Sequence, residues 1–184
     1  MQVAPYGIDL GELQARLPEL LRTPSGRLEL APPLFIEALA ALTADQPPTA
    51  GPDELLLIGR RDLRSGNSWM HNLPVLAKGP DRSALILHPA DAQRRGLRDG
   101  ERALLSNAAG VSVEVLLQCS EEVMPGVASL PHGWGHDLPG MQLSVASLRP
   151  GANLNALLDD RVRDPLSGNA VLSGQPVRLS ALPR

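Results

Sequence analysis

After residue 54 the chain alternates short apolar runs with turn residues. Apolar or alternating runs bounded by glycine, proline or asparagine are typical of β-strands. This pattern predicts strands at Leu55–Ile58, Ala84–His88, Glu101–Ser106, Val111–Cys119, Val127–Leu130, Gln142–Ala146 and Val177–Leu182. A short helix is expected to begin at Pro89 and to end before Gly96. Short strands at this spacing, with one or two small helices, predict a mainly β protein with a closed or nearly closed barrel.

The first 50 residues have a different pattern. Apolar positions between Ile8 and Leu21 recur at helical spacing and predict a short amphipathic helix interrupted by Pro18. A second helix is expected at Leu34–Leu42, directly after a proline pair. The proline-rich stretch Thr43–Pro52 reads as a linker. We therefore expect residues 1–50 to form a helical linker segment, the tail of a preceding domain, and residues 51–184 to form the β domain.

Composition limits the possible functions of the 184 residues. Hydrophobic content of 43% suits one globular domain, and an aromatic content of 2% requires an aliphatic core. A net charge of -3 with so few aromatics disfavours nucleic-acid binding. No apolar run approaches the ~18 residues of a membrane span, and no signal peptide is evident, so a cytoplasmic location is expected. The lone Cys119 excludes an intrachain disulfide and a cysteine-based metal site within this chain.

The richest candidate chemistry follows the first predicted strand of the barrel, in LLLIGRRDLRSGNSWMHNLP, residues 55–74. Guanidinium groups match phosphate oxygens in a planar, two-pronged geometry. Glycine and small residues let backbone amides approach a ligand, and a tryptophan offers a flat surface to a ring. This composition favours a large anionic ligand that contains phosphate and a fused heterocycle. The alternative is a solvated surface loop with Trp69 in the core.

Two further segments carry candidate residues. HGWGH, His132–His136, holds two histidines four apart, but its flanking glycines and missing glutamate do not suit a helical metal site. The alternative for this segment is a glycine-rich loop with a buried Trp134. In PGANLN, Asn153 and Asn155 could read a heterocycle or could simply cap a helical turn. No Ser/His/Asp order or carboxylate pair has a spacing that predicts catalysis, and no metal ligand is predicted.

Six motifs in order resemble those of a known family: TPSGRLELAPP, LLLIGRRDLRSGNSWMHNLP, HPADAQRRGLRDGE, PGVASLPHGWGH, PGANLNALLD and DPLSGNAVLSGQPV. Together they are similar to the C-terminal domain of molybdopterin-dependent oxidoreductases, the formate dehydrogenase and nitrate reductase group. The residues of the second of these motifs, the loop after the first predicted strand of the barrel, resemble those of the formate-dehydrogenase-like and related branches. The resemblance implies a six-stranded double-psi β-barrel that binds molybdopterin guanine dinucleotide, with molybdenum or tungsten, and packs on other domains of its parent enzyme.

Carried over position by position, the resemblance implies cofactor contacts from three loops: Gly59, Arg60, Arg61, Arg64, Ser65, Asn67, Ser68, Trp69 and His71; His132, Gly133, Trp134 and Gly135; and Asn153 and Asn155. The family's metal ligand and cluster cysteines lie in segments that precede this one. The isolated chain is therefore expected to be inactive, to hold no cofactor when isolated, and to self-associate through surfaces meant for other domains. The alternative is a stand-alone adaptor on the same barrel, without cofactor.

Overall fold

The alternation after residue 54 becomes a set of short strands in the computed structural model, which describes residues 7–44 and 50–183. Within these residues the strands number six, and each follows a predicted segment closely. They are β1 Glu54–Arg60, β2 Leu85–Leu87, β3 Arg102–Asn107, β4 Ser112–Cys119, β5 Val127–Pro131 and β6 Gln175–Ala181.

The strands close into a barrel in the order β1-β5-β2-β4-β3-β6. β1 runs parallel to β5, with Leu56 opposite Val127, and antiparallel to β6, with Leu55 opposite Val177. β2 runs parallel to β4, and the remaining neighbours are antiparallel. Closure removes the exposed edges that an open sheet would present. The prediction of a mainly β, six-stranded barrel is confirmed.

The barrel interior is aliphatic, as the scarcity of aromatic residues requires. Alternate side chains of β1 point inward, so that Leu55 and Leu57 are fully buried while their neighbours are partly exposed. β6 alternates in the same way through Val177 and Leu179. Burying a leucine side chain contributes about 1.5–3 kcal/mol, so this interior supplies most of the driving force for closure.

The predicted short helix is present as α2, Pro89–Arg94, between β2 and β3. His88 caps it, because its Nδ1 accepts a hydrogen bond from Ala90 N at 3.2 Å. The helix carries a fully buried carboxylate, Asp91, which accepts from Gly126 N at 2.7 Å and lies 3.6 Å from the Arg95 guanidinium. Asp91 therefore ties α2 to the turn that precedes β5.

The predicted strand at Gln142–Ala146 is wrong. The chain bends there and then forms a 3₁₀ turn, Ala146–Leu148. The side-chain oxygen of Asn72 accepts hydrogen bonds from Val145 N and Ala146 N, at 2.9 and 3.1 Å. In a strand, these two backbone N–H groups could donate to a neighbouring strand. Because they donate to the side chain of Asn72 instead, this segment stays out of the sheet.

The chain divides into two units, Met1–Gln46 and Pro47–Arg184. In the first unit the second predicted helix is confirmed as α1, Pro33–Ala44. The predicted helix at Ile8–Leu21 is wrong, because only one turn forms, at residues 17–20. Gly11 has a φ of 76°, and Pro18 has no N–H to donate. Part of the expected linker, residues 45–49, lies outside the described residues.

Candidate functional site

Three loops converge beyond one end of the barrel. The first loop (residues 61–74) follows β1 and the second loop (residues 132–141) follows β5; because these strands are parallel neighbours, both loops begin at the same end. The third loop (residues 150–158) packs on the second, since Gly135 N and His136 N donate to Pro150 O at 2.8 and 3.1 Å. The three stretches that the sequence singled out therefore meet on one face.

Two glycines of the second loop allow this close meeting. Gly133 has a φ of +92°, and a Cβ there would lie 2.1 Å from the carbonyl oxygen of Asn67. Gly135 has a φ of +107°, and a Cβ there would lie 2.7 Å from the Cβ of Asn153. Both positions combine a left-handed backbone with direct contact between loops, so both require glycine. These two glycines therefore let the second loop approach the first loop at Asn67 and the third loop at Asn153.

A cleft lies between the loops. Its larger hollow is about 440 Å³ and its smaller hollow about 170 Å³, and they adjoin, because both are lined by His132 and Asn155. Ten of the residues that the sequence assigned to a cofactor line this cleft, which makes it one candidate site rather than scattered positions. They are Gly59, Arg61, Ser68, Trp69, His132, Gly133, Trp134, Gly135, Asn153 and Asn155.

The cleft combines a cation with neutral hydrogen-bonding groups. Arg61 is exposed, and its guanidinium donates to the side-chain oxygen of Asn67. Burial, and secondarily the charge of Arg61, lowers the pKa of His132, which keeps its imidazole neutral. Asn153 caps the 3₁₀ turn Leu154–Leu157 by accepting from Asn155 N at 3.0 Å, and it also lines the cleft. The capping interpretation of Asn153 is therefore confirmed without removing it from the site.

Arg60 is not among the residues that line the cleft. Its guanidinium donates to Ser129 O and to Ala84 O, both at 2.9 Å, and burial lowers the pKa of this group. It therefore joins the end of β1 to β5 and to the residue before β2. Adjacent arginines thus differ: Arg60 is engaged within the barrel, and Arg61 is presented at the cleft.

Arg64, Ser65 and His71 line a neighbouring cavity of about 410 Å³. The ring of Trp134 also lines this cavity, so it forms a wall between the cavity and the cleft. His71 stacks on that ring with the centroids 4.0 Å apart. Among the described residues, the buried indole nitrogen of Trp134 has no hydrogen-bond acceptor. This buried donor has no partner within the described chain and is therefore available to a water molecule or to a bound ligand.

Trp69 lies at the mouth of the cleft with 86% of its surface exposed. The alternative that placed Trp69 in the core is therefore wrong. Leu138 and Met141 are also exposed and line the same hollow. These side chains form a flat apolar rim that can cover a ring system.

His136 is a site residue that sequence reasoning did not select. It lines the cleft, and its imidazole is hydrogen-bonded to that of His71. The sequence feature that could have indicated this residue is the second histidine of HGWGH, but its spacing from the first histidine suggested only a metal ligand. In the described part of the chain, no group of three or more His, Cys, Asp or Glu side chains could hold a metal ion. Nor does any helix among those residues have the length and apolar character needed to cross a bilayer.

The exposed arginine, the two asparagines and the exposed tryptophan of this cleft are residue types that suit a phosphate-bearing heterocycle. Residues 55–174 match the family described as Molydopterin dinucleotide binding domain, and the chain belongs to that family. It is a molybdopterin dinucleotide-binding domain, as the six motifs predicted.

Known proteins similar to this chain are enzymes. The chain is 31% identical over 129 residues to a tetrathionate reductase subunit of Salmonella typhimurium, covering 60% of this chain and 12% of that protein. It is 33% identical over 96 residues to a putative dimethyl sulfoxide reductase catalytic subunit of Halobacterium salinarum, covering 52% and 11%. Acetylene hydratase from Pelobacter acetylenicus matches in structure with a TM-score of 0.66 and 26% identity, covering 87% and 24%.

The chain thus spans about an eighth of the length of these curated relatives. Because the relatives named above are enzymes, they give no support to the alternative of a stand-alone adaptor.

Proposed function

We propose that the cleft binds the guanine form of the molybdopterin dinucleotide, carrying molybdenum or tungsten, within a larger oxidoreductase of the formate-dehydrogenase-like group. The observation that carries the proposal is that three separately predicted loops all line the larger hollow of the cleft, and that the smaller hollow, which holds Arg61, adjoins it. The chain alone is not catalytic, because the resemblance puts the metal ligand and the cluster cysteines in preceding segments. Residues 1–50 are then the tail of the preceding domain.

The side chains present suit such a ligand. Arg61 would hold a phosphate group, because a guanidinium offers two parallel donors to its oxygens. Asn153 and Asn155 would contact ring edges through paired donors and acceptors, and Trp69 would cover a ring face. The unpaired indole N–H of Trp134 would find its acceptor on the ligand. When bound, the cofactor supplies redox chemistry at its metal, while this chain binds and orients it.

The proposed partners are the dinucleotide and the remaining domains of the parent enzyme, with no nucleic acid and no membrane contact, in the cytoplasm. Helix α1 supports the domain contact, because Leu34, Phe35 and Leu39 are all exposed. Exposed apolar surface of this kind promotes association in water. The isolated chain would therefore self-associate through it and would bind added cofactor more weakly than the full enzyme does.

A binding measurement tests the proposal. Molybdopterin guanine dinucleotide is titrated anaerobically into the full chain, and heat or tryptophan fluorescence is recorded at several salt concentrations. Arg61→Ala should weaken binding by roughly tenfold or more and should flatten its salt dependence, because a charge-assisted contact is worth about 1.5–3 kcal/mol.

Arg102→Ala is the matched control. Arg102 is an exposed arginine of β3 paired with Glu114 at 2.7 Å, and it does not line the cleft. Its loss changes the net charge equally and should leave binding unchanged. Equal effects of the two variants would remove the phosphate role of Arg61, and absence of binding by the unmodified chain would count against the proposed function.

A further inference from the structure

Two buried imidazoles connect the first and second loops. The Nδ1 of His71 lies 2.7 Å from the Nε2 of His136, and the Nε2 of His71 lies 2.7 Å from the hydroxyl of Ser65. The histidines are only 6% and 5% exposed, so water cannot easily replace either contact. The ring of Trp134 stacks on His71 from the second loop. This His71–His136 pair is thus a buried polar contact between the two loops.

Counting protons shows which charge states the pair tolerates. In the neutral pair one ring nitrogen of the contact carries hydrogen and the other accepts, so the hydrogen bond is complete. The Ser65 hydroxyl satisfies the remaining nitrogen of His71 in either tautomer, because it can donate or accept. If both rings are protonated, two N–H groups face each other at the same contact and repel. With one ring protonated, its N–H still donates to the neutral nitrogen of the other ring, so the contact survives. The pair therefore holds the loops until both rings carry a proton, and acid opens the contact at that point.

We propose that His136 is a positioning residue of the cofactor cleft: hydrogen-bonded to His71, it fixes the spacing of the first and second loops, and protonation of the pair releases them. The part of this proposal that concerns cofactor rests on the proposed function, whereas the loop contact itself does not. His136 lines the cleft itself, and its hydrogen bond to His71 also acts on Trp134, on whose ring His71 stacks.

The surroundings oppose protonation. Burial and, secondarily, the neighbouring His136 lower the pKa of His71, as does Arg82; together they outweigh the attraction of Asp62 and a hydrogen bond with the Gly133 backbone. Burial lowers the pKa of His136, against the attraction of Asp137. Both shifts favour the neutral pair, so its stabilising contribution is complete above the unfolded value of 6.5 and is lost as the pH falls below it. The cavity beside His71 adds the charged groups of Arg64, Lys78, Asp81 and Arg149.

Tryptophan fluorescence can follow His71 directly. The chain has two tryptophans, and Trp69 is exposed, so Trp69→Phe leaves Trp134 as the one emitter without disturbing the core. A protonated imidazole quenches an indole on which it stacks. We expect the emission of this variant to fall on acidification with a midpoint below pH 6.5. A midpoint at or above 6.5 would overturn the claim that the pair is held neutral.

A second substitution separates positioning from simple packing. In the Trp69→Phe background, His136→Gln places an amide where Nε2 lay. Its oxygen can accept from a protonated His71, and the charge of His136 that lowers the pKa of His71 is removed. The midpoint should therefore rise relative to the parent. A purely structural role would change stability and leave the midpoint in place. His88→Gln alters a histidine that caps α2 and should not move the midpoint.

The unmodified chain offers a measurement that does not depend on a variant folding. It contains four histidines, so ¹⁵N-labelled imidazoles can be resolved individually. We expect a scalar coupling across the hydrogen bond between His71 Nδ1 and His136 Nε2 at neutral pH, and its loss in acid. Its absence at neutral pH would overturn the proposal.

Cofactor binding then tests the functional consequence. Affinity for molybdopterin guanine dinucleotide should fall for the unmodified chain between about pH 8 and pH 5, and His136→Gln should flatten this profile. Arg61→Ala should bind more weakly but keep the pH dependence. A profile that His136→Gln leaves unchanged contradicts the positioning role. If the unmodified chain binds no cofactor while the fluorescence midpoint still responds to His136→Gln, then the proposed function fails and the contact between the loops stands.

Discussion

Replacing Gly133 by alanine should separate the loops of the cleft. The added Cβ would lie 2.1 Å from the Asn67 carbonyl oxygen, whereas non-bonded atoms settle about 3.5 Å apart, so one loop must retreat by roughly 1 Å or more. Such a shift stretches the 2.7 Å contact between His71 and His136. The left-handed backbone costs about 1–2 kcal/mol and the lost buried hydrogen bond about 1–3 kcal/mol. We expect a loss of about 2–5 kcal/mol in unfolding free energy.

Gly140 provides the matched control on the same loop. Its φ is +86°, close to that of Gly133, but a Cβ there meets nothing within 4 Å. Gly140→Ala should therefore cost only the backbone term, about 1–2 kcal/mol. Urea unfolding of the full chain, with midpoint and slope fitted for each variant, gives both values. If the two alanine variants lose the same stability, the loops do not depend on the contact between Gly133 and Asn67, and the reasoning fails.

Two further predictions concern charges outside the cleft. Asp91→Ala should lower the unfolding free energy by about 3 kcal/mol, because it leaves Gly126 N–H and the Arg95 guanidinium without their buried carboxylate. Urea unfolding measures this loss, and a value below about 1 kcal/mol would refute the prediction. Arg161→Gln should raise the pKa of Asp159, which the Arg161 guanidinium holds at about 2. The benefit of that depressed pKa is present above the ordinary carboxyl value and is lost as the pH falls toward 2. Carboxyl ¹³C titration measures it, and an unchanged value would exclude Arg161 as the cause.

Local patterns predicted the strands because burial inside a barrel imposes alternation on each strand separately. Val111–Cys119 alternates clearly and became β4. The same reasoning failed at Gln142–Ala146, where the decisive partner is the amide of Asn72, 73 residues away from Val145. It also failed at Ile8–Leu21, where helical spacing carried no helix because short isolated helices are marginal in water.

The candidate site, like the fold, could be predicted from the sequence only in part. Residue types suitable for a phosphate and a heterocycle could be read from the sequence, and the three loops do share one cleft. The different environments of Arg60 and Arg61 could not be predicted, because they depend on the carbonyl groups of Ser129 in β5 and of Ala84 just before β2. Nor could the partner of His136 be identified, since His71 lies 65 residues earlier and only the barrel brings the two together.

The barrel is closed only once β1 has paired with β6. Glu54 lies opposite Arg178, so the seam closes between residues that are 124 positions apart in the chain. Until β6 leaves the ribosome, β1 and β3 each offer an open hydrogen-bonding edge. We expect slow folding from this high contact order, and protection of the nascent strands until the ring is closed.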